Sequence, residues 1–156
     1  MEILLKPNKI LAKPTPEVEK IDKNILSAIS KMWEIHKAKA ALGLAANQVG
    51  LPYKIAVIGF EPTAKQLKED RNLKPIAKRA LINPKITSKS KKEFIDKEAC
   101  LSVPNAHYDI PRSDKIQVEY LDEKGQKQKL RARGMLARII QHEIDHLNGR
   151  TIADYK

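Results

Sequence analysis

Residues 141–149 read QHEIDHLNG, in which His142, Glu143 and His146 form the pattern H-E-x-x-H. On a helix, positions four apart share a face, so two imidazoles can converge on one metal ion with the glutamate carboxylate beside them. The alternative is a solvated helix with two incidental histidines. Location argues against it: Met135, Leu136, Ile139, Ile140, Ile144 and Leu147 cover much of the circumference of segment 133–148. A helix apolar nearly all round rarely buries His, Glu and His without a ligand to satisfy them. A catalytic metal site also needs a third protein ligand and an open position for water. The single cysteine, Cys100, in Glu98-Ala99-Cys100-Leu101-Ser102, is the candidate. Taken by itself a lone cysteine is more often an inert buried residue, and only the histidine pair turns that reading towards a ligand.

The elements that position these residues are legible in outline. Pro7, Pro14 and Pro16 keep residues 1–20 extended or irregular. Asp22 is placed to cap an amphipathic helix in which Ile25, Ile29, Met32, Trp33 and Ala40 recur at helical spacing, through to about Ala41. The small-residue run 43–53 marks a tight loop, and Lys54 to Phe60 reads as a buried strand. Residues 61–79 form a polar, Lys-rich insert, followed by a short strand around Ala80 to Ile86 and another near Phe94, with Pro104 forming a turn. Alternation at Ile116, Val118 and Tyr120, a turn at 122–125 and a return over 126–131 predict a hairpin before the H-E-x-x-H helix, which Gly149 ends. No repeat or linker divides the chain, so residues 1–156 are expected to form a single domain.

Composition bounds the partners. The 156 residues carry 30 Lys+Arg against 19 Asp+Glu, a formal charge of +11 that favours polyanions such as RNA, a ribosome surface or an anionic membrane without identifying a site. The basic residues of 61–97 are scattered, with only Phe94 as an aromatic able to stack on bases, which is how a solvated loop reads. No apolar stretch approaches the roughly 18 residues of a membrane helix, and MEILLKPNKI is no signal peptide. The cytoplasm is the expected compartment.

QHEIDHLNG (141–149), EACLS (98–102) and GLAANQ (43–48) resemble, in order, the three signature motifs of peptide deformylases. The segment from Lys6 to Leu11 is also similar to that family's N-terminal stretch, so the resemblance spans residues 3 to 150, loosely at 61–79. It implies an α+β fold in which antiparallel β-sheets wrap a central helix carrying the H-E-x-x-H residues. It also implies an enzyme that removes the N-formyl group from the starting methionine of new polypeptides and releases formate. Cys100, His142 and His146 would bind the metal, natively Fe2+ in the family and replaceable by Zn2+, Ni2+ or Co2+. Glu143 would be the general base, and the Gln48 side-chain amide with the Leu101 backbone N–H would stabilise the oxyanion.

By the same resemblance, backbone at Gly43 would pair with the peptide, and Leu42, Met135, Ile139 and His142 would form the methionine pocket. Met135 and Ile139 read equally well as core. Glu98 and Arg112 match a supporting ion pair. His107 stands where many bacterial members have a substrate-holding Arg. Ala41 and Ala99 replace glycines usual in the motifs, a costly change if either position needs positive φ, and Asn47 stands where Pro is common. His36 reads as structural. Few residues follow His146, so ribosome contact is expected through the basic surface instead of a long C-terminal helix. A monomer without DNA or membrane partners is expected. Two other readings remain at this point: a related hydrolase shifted to another acylated substrate, and an RNA- or ribosome-binding protein on an inactive scaffold.

Overall fold

The computed structural model describes residues 1–155. The chain leads in through a short 3-10 turn at Lys9–Ala12 to helix α1, Lys23–Ala38, and strands β1, Gly43–Ala45, and β2, Ile55–Phe60. Helix α2, Ala64–Glu69, lies in the polar insert and precedes β3, Ile76–Lys89. Then come β4, Glu93–Cys100, β5, Val103–Ser113, β6, Lys115–Leu121, β7, Lys127–Arg133, and helix α3, Gly134–Leu147. The strands form a five-stranded antiparallel sheet, order β1-β2-β3-β6-β7, and a two-stranded ribbon β4-β5.

The sheet is covered on both faces. Ile25, Ile29 and Met32 of α1 pack on Ile55, Val57 and Ile82, while Ile140 and Ile144 of α3 pack against Ile58, Leu81 and Val118. Alternate residues of β2 therefore face opposite helices, which is why Ile55 to Ile58 is a continuous apolar run. The ribbon closes over another side of α3, so this helix is central and most of its side chains are buried. Asp22 caps α1, its Oδ1 accepting from the N–H groups of Asn24 and Ile25. Gly149, at φ +77°, ends α3 where a Cβ would lie 2.8 Å from the Ala12 backbone.

Several elements differ from the sequence expectation. The expected loop at 43–53 contains β1 and a 3-10 turn, Ala46–Val49. So short a strand is held by its ladder with β2 and carries no propensity signal of its own. α1 stops at Ala38, and Ala40 takes φ +48°. β3 starts inside the insert and is longer than expected. Pro104 lies within β5 while the chain reverses at Leu101 and Ser102; a two-stranded ribbon has free edges, where a missing N–H costs no ladder bond. Among the described residues, the non-glycines at positive φ are Ala40, Asn83 and Asn105, so Ala41 and Ala99 carry no such strain.

Candidate metal centre and active site

α3 delivers three of the site residues from one stretch of helix. His142 and His146, four apart, bring their Nε2 atoms to 3.2 Å, and Cys100 Sγ lies 3.2 Å from His146 Nε2. Cys100 reaches them because it ends β4 at the ribbon's tip. In that strand Glu98 and Cys100, two apart, turn inward while Lys97 and Ala99 face outward.

Glu98 orients the ligands. Its carboxylate accepts four donors: Arg112 Nε at 2.9 Å and Arg138 Nη1 at 2.6 Å on Oε1, with Arg112 Nη2 at 2.9 Å and His142 Nδ1 at 2.8 Å on Oε2. Burial opposes ionisation of Glu98, but Arg112 and His142 outweigh it and hold the carboxyl far below the usual carboxylate range. An ionised acceptor at Nδ1 assigns the hydrogen of His142 to that nitrogen, which leaves the Nε2 lone pair facing Cys100 and His146. Arg112 also donates to Asp145 and to Tyr155 Oη.

The donor set fits a dication. Cys100 Sγ and one nitrogen of each histidine lie within 4.8 Å of one another. Burial would lower the pKa of both imidazoles. For His142 the Cys100 sulfur and Glu98 outweigh burial and push it up, while burial and the neighbouring His142 push His146 well down. A sulfur and two imidazole nitrogens held this close together present lone pairs to one another, and a divalent ion would satisfy all three donors.

Glu143, 4% exposed, sits beside this cluster, and burial pushes its carboxyl up to about 7. Its Oε2 has no hydrogen-bond partner among the described residues. Gln48 approaches from the 3-10 turn after β1: its Oε1 accepts from Ala45 N–H at 2.9 Å, so Nε2 faces Ser102 Oγ at 3.1 Å and Cys100 Sγ at 3.8 Å. One cavity of about 460 Å³ joins these groups to Leu42, Gly43, Met135 and Ile139. Met135 is 52% exposed, and therefore not core, whereas Ile139 is both cavity wall and buried.

His107 is exposed and is not itself in the cavity lining, but it pairs across the ribbon with Ala99, which is. His36 is buried against Trp33 near the end of α1 and does not itself line the cavity.

Three residues had no place in the sequence reading of the site. Asn47, expected only to cost some rigidity, donates from Nδ2 to the His146 carbonyl and so ties the Gln48 turn to α3. Ser102 holds the Gln48 amide. Arg138, 4% exposed, lines the cavity and grips Glu98. Its position, one helical turn before His142, does not by itself reveal these partners.

The model of the family described as polypeptide deformylase matches residues 1–156. The chain belongs to this family. A peptide deformylase of Aquifex aeolicus is 39% identical over 153 residues, 98% of this chain and 85% of the relative. A Rickettsia conorii protein named peptide deformylase-like is 41% identical over 155 residues, 98% of this chain and 78% of the relative. The crystal structure of peptide deformylase from Ehrlichia chaffeensis has a TM-score of 0.89 to this fold at 38% identity, covering 99% of this chain and 87% of that one.

Proposed function

We propose that this chain removes the N-formyl group from the N-terminal methionine of newly made polypeptides, with Cys100, His142 and His146 holding a catalytic Fe2+. The observation that carries this reading is the convergence of the thiol, both Nε2 atoms, Glu143 and Gln48 on one cavity. A divalent ion in that donor set supplies Lewis acidity, acidifying a water and polarising the formyl oxygen. Zn2+, Ni2+ or Co2+ suits the same ligands, and sulfur ligation of ferrous iron makes activity labile to oxygen.

The protein groups then divide the work. Glu143, buried and with one oxygen free of partners, accepts the proton of the attacking water and returns it to the departing amine. Gln48 Nε2, pre-aimed by the Ala45 N–H on its other end, and the Leu101 backbone N–H donate to the developing oxyanion. β1 is a sheet edge, so the substrate backbone adds as a strand at Gly43, and Leu42, Met135 and Ile139 receive the methionine side chain. Glu98 and Arg112 support the ligands from behind.

Among the described residues no helix is long and apolar enough to cross a membrane. The enzyme works in the cytoplasm as a monomer, meeting nascent chains at the ribosome through its Lys- and Arg-rich surface. The test is formate release from formyl-Met-Ala-Ser by anaerobically prepared Fe2+ protein beside Glu143→Gln. Release by the parent and a loss of about 10²- to 10⁴-fold in the variant are expected. No release from folded, metal-loaded parent overturns the reading.

A further inference from the structure

The ribbon β4-β5 has no hydrogen-bonded strand in common with the five-stranded sheet. Cys100 at its tip and the histidines on α3 therefore belong to separately bonded units, and their span must be fixed for one ion to meet all three. Arg138 crosses that gap. From α3, one turn before His142, its Nη1 donates to Glu98 Oε1 at 2.6 Å and to the Ile110 carbonyl at 2.9 Å, and Nη2 donates to the Phe94 carbonyl at 2.7 Å. The guanidinium also lies 4.3 Å from the centroid of the Phe94 ring. Phe94 and Glu98 are in β4 and Ile110 is in β5, so one side chain on α3 grips both strands of the ribbon and the carboxylate that orients His142. Arg112, in β5, also links the ribbon to α3 through Glu98 and Asp145, and Gln141, on α3, holds the backbone of Ser113 in β5, but neither side chain reaches the β4 backbone as Arg138 does at Phe94.

We infer that Arg138 is a positioning residue for the metal ligands: it fixes the span between Cys100 and the two imidazoles by holding β4, β5 and Glu98 against α3. The chemistry suits arginine. A buried cation at a core-facing helix position costs free energy unless paired, and a planar fork of donors can meet one carboxylate and two divergent carbonyls at once. Lysine, a point charge on a flexible stem, can balance Glu98 but cannot span all three acceptors.

This inference rests on the metal reading above, and cobalt binding separates the two. Metal-free parent, Arg138→Met and Arg138→Lys are titrated with Co2+ while d–d absorption and the thiolate-to-cobalt charge-transfer band are recorded. Arg138→Met is expected to lose about 10- to 100-fold in Co2+ affinity and to shift both bands, as outer-shell partners of ligands do when removed. Arg138→Lys is expected to fall between. An Arg138→Met protein with the parent's affinity and spectrum overturns the inference; if that variant does not fold, an Arg138→Lys protein matching the parent does so. A parent that binds no cobalt overturns the metal reading and this inference with it.

Discussion

The place of Glu143 depends on what Gly43 lacks. A Cβ at Gly43 would lie 2.4 Å from Glu143 Oε1 and 2.8 Å from both Cγ and Cδ, so the whole carboxylate arm occupies the space that any side chain there would take. Gly43 is not at positive φ, so alanine meets no backbone penalty, only this collision. Gly43→Ala is expected to keep fold and metal content while displacing the base. Formate release should fall by about 10²- to 10⁴-fold, the usual worth of a positioned general base. Unchanged turnover would separate Glu143 from proton transfer.

Glu98→Gln is expected to damage stability and metal retention together. Both oxygens of Glu98 face N–H donors, so either orientation of an amide sets its own N–H groups against Arg112 and against His142 or Arg138. The two buried guanidinium groups also lose their shared counter-charge. Breaking such a buried pair costs about 3–5 kcal/mol, measurable by denaturant unfolding, and bound metal per chain should drop in the same samples.

The histidine pair could be read in the sequence because residues four apart share a helix face, and Cys100 stood out as the single cysteine beside that pair, whereas Glu98 was placed only by resemblance. What was not legible depends on contacts between distant segments. β1 exists because β2 pairs with it, and Arg138 reads as a stray surface cation until β4, β5 and α3 meet around it. Asn47 in a run of small residues gives no sign that the His146 carbonyl is its partner. His107 was placed at the substrate by resemblance alone; the ribbon's register sets it opposite Ala99, a residue of the cavity lining.

Chelation should abolish activity yet leave the fold. α3 is held by Ile140, Ile144 and Ala137 against the sheet, an apolar contact independent of any ion. An ion that binds only the native state at 1,000 times its dissociation constant adds about 4 kcal/mol. Metal-free protein is therefore expected to keep its far-UV circular dichroism, lose formate release and melt at a lower temperature, with all three properties restored by Fe2+ added anaerobically. Unfolding on chelation would instead make the metal a structural requirement.

Asp154 joins the two ends of the described chain, and its contribution should depend on pH. Its carboxylate pairs with Lys6 and accepts from the Thr151 N–H at 2.7 Å and Thr151 Oγ1 at 2.9 Å. Burial raises its pKa, but the Lys6 and Thr151 bonds outweigh burial and leave it below the ordinary aspartate value. A depressed native pKa means the stabilisation is complete above the unfolded-state value, near 3.9, and is lost as pH falls through the native one. Asp154→Asn should therefore be less stable than the parent at pH 7, and the difference should shrink as acid protonates the parent carboxyl. Unfolding free energies of the two proteins across pH 2.5–7 check this, and a gap that stays constant with pH would mean that packing of the side chain, not its charge, ties the segments together.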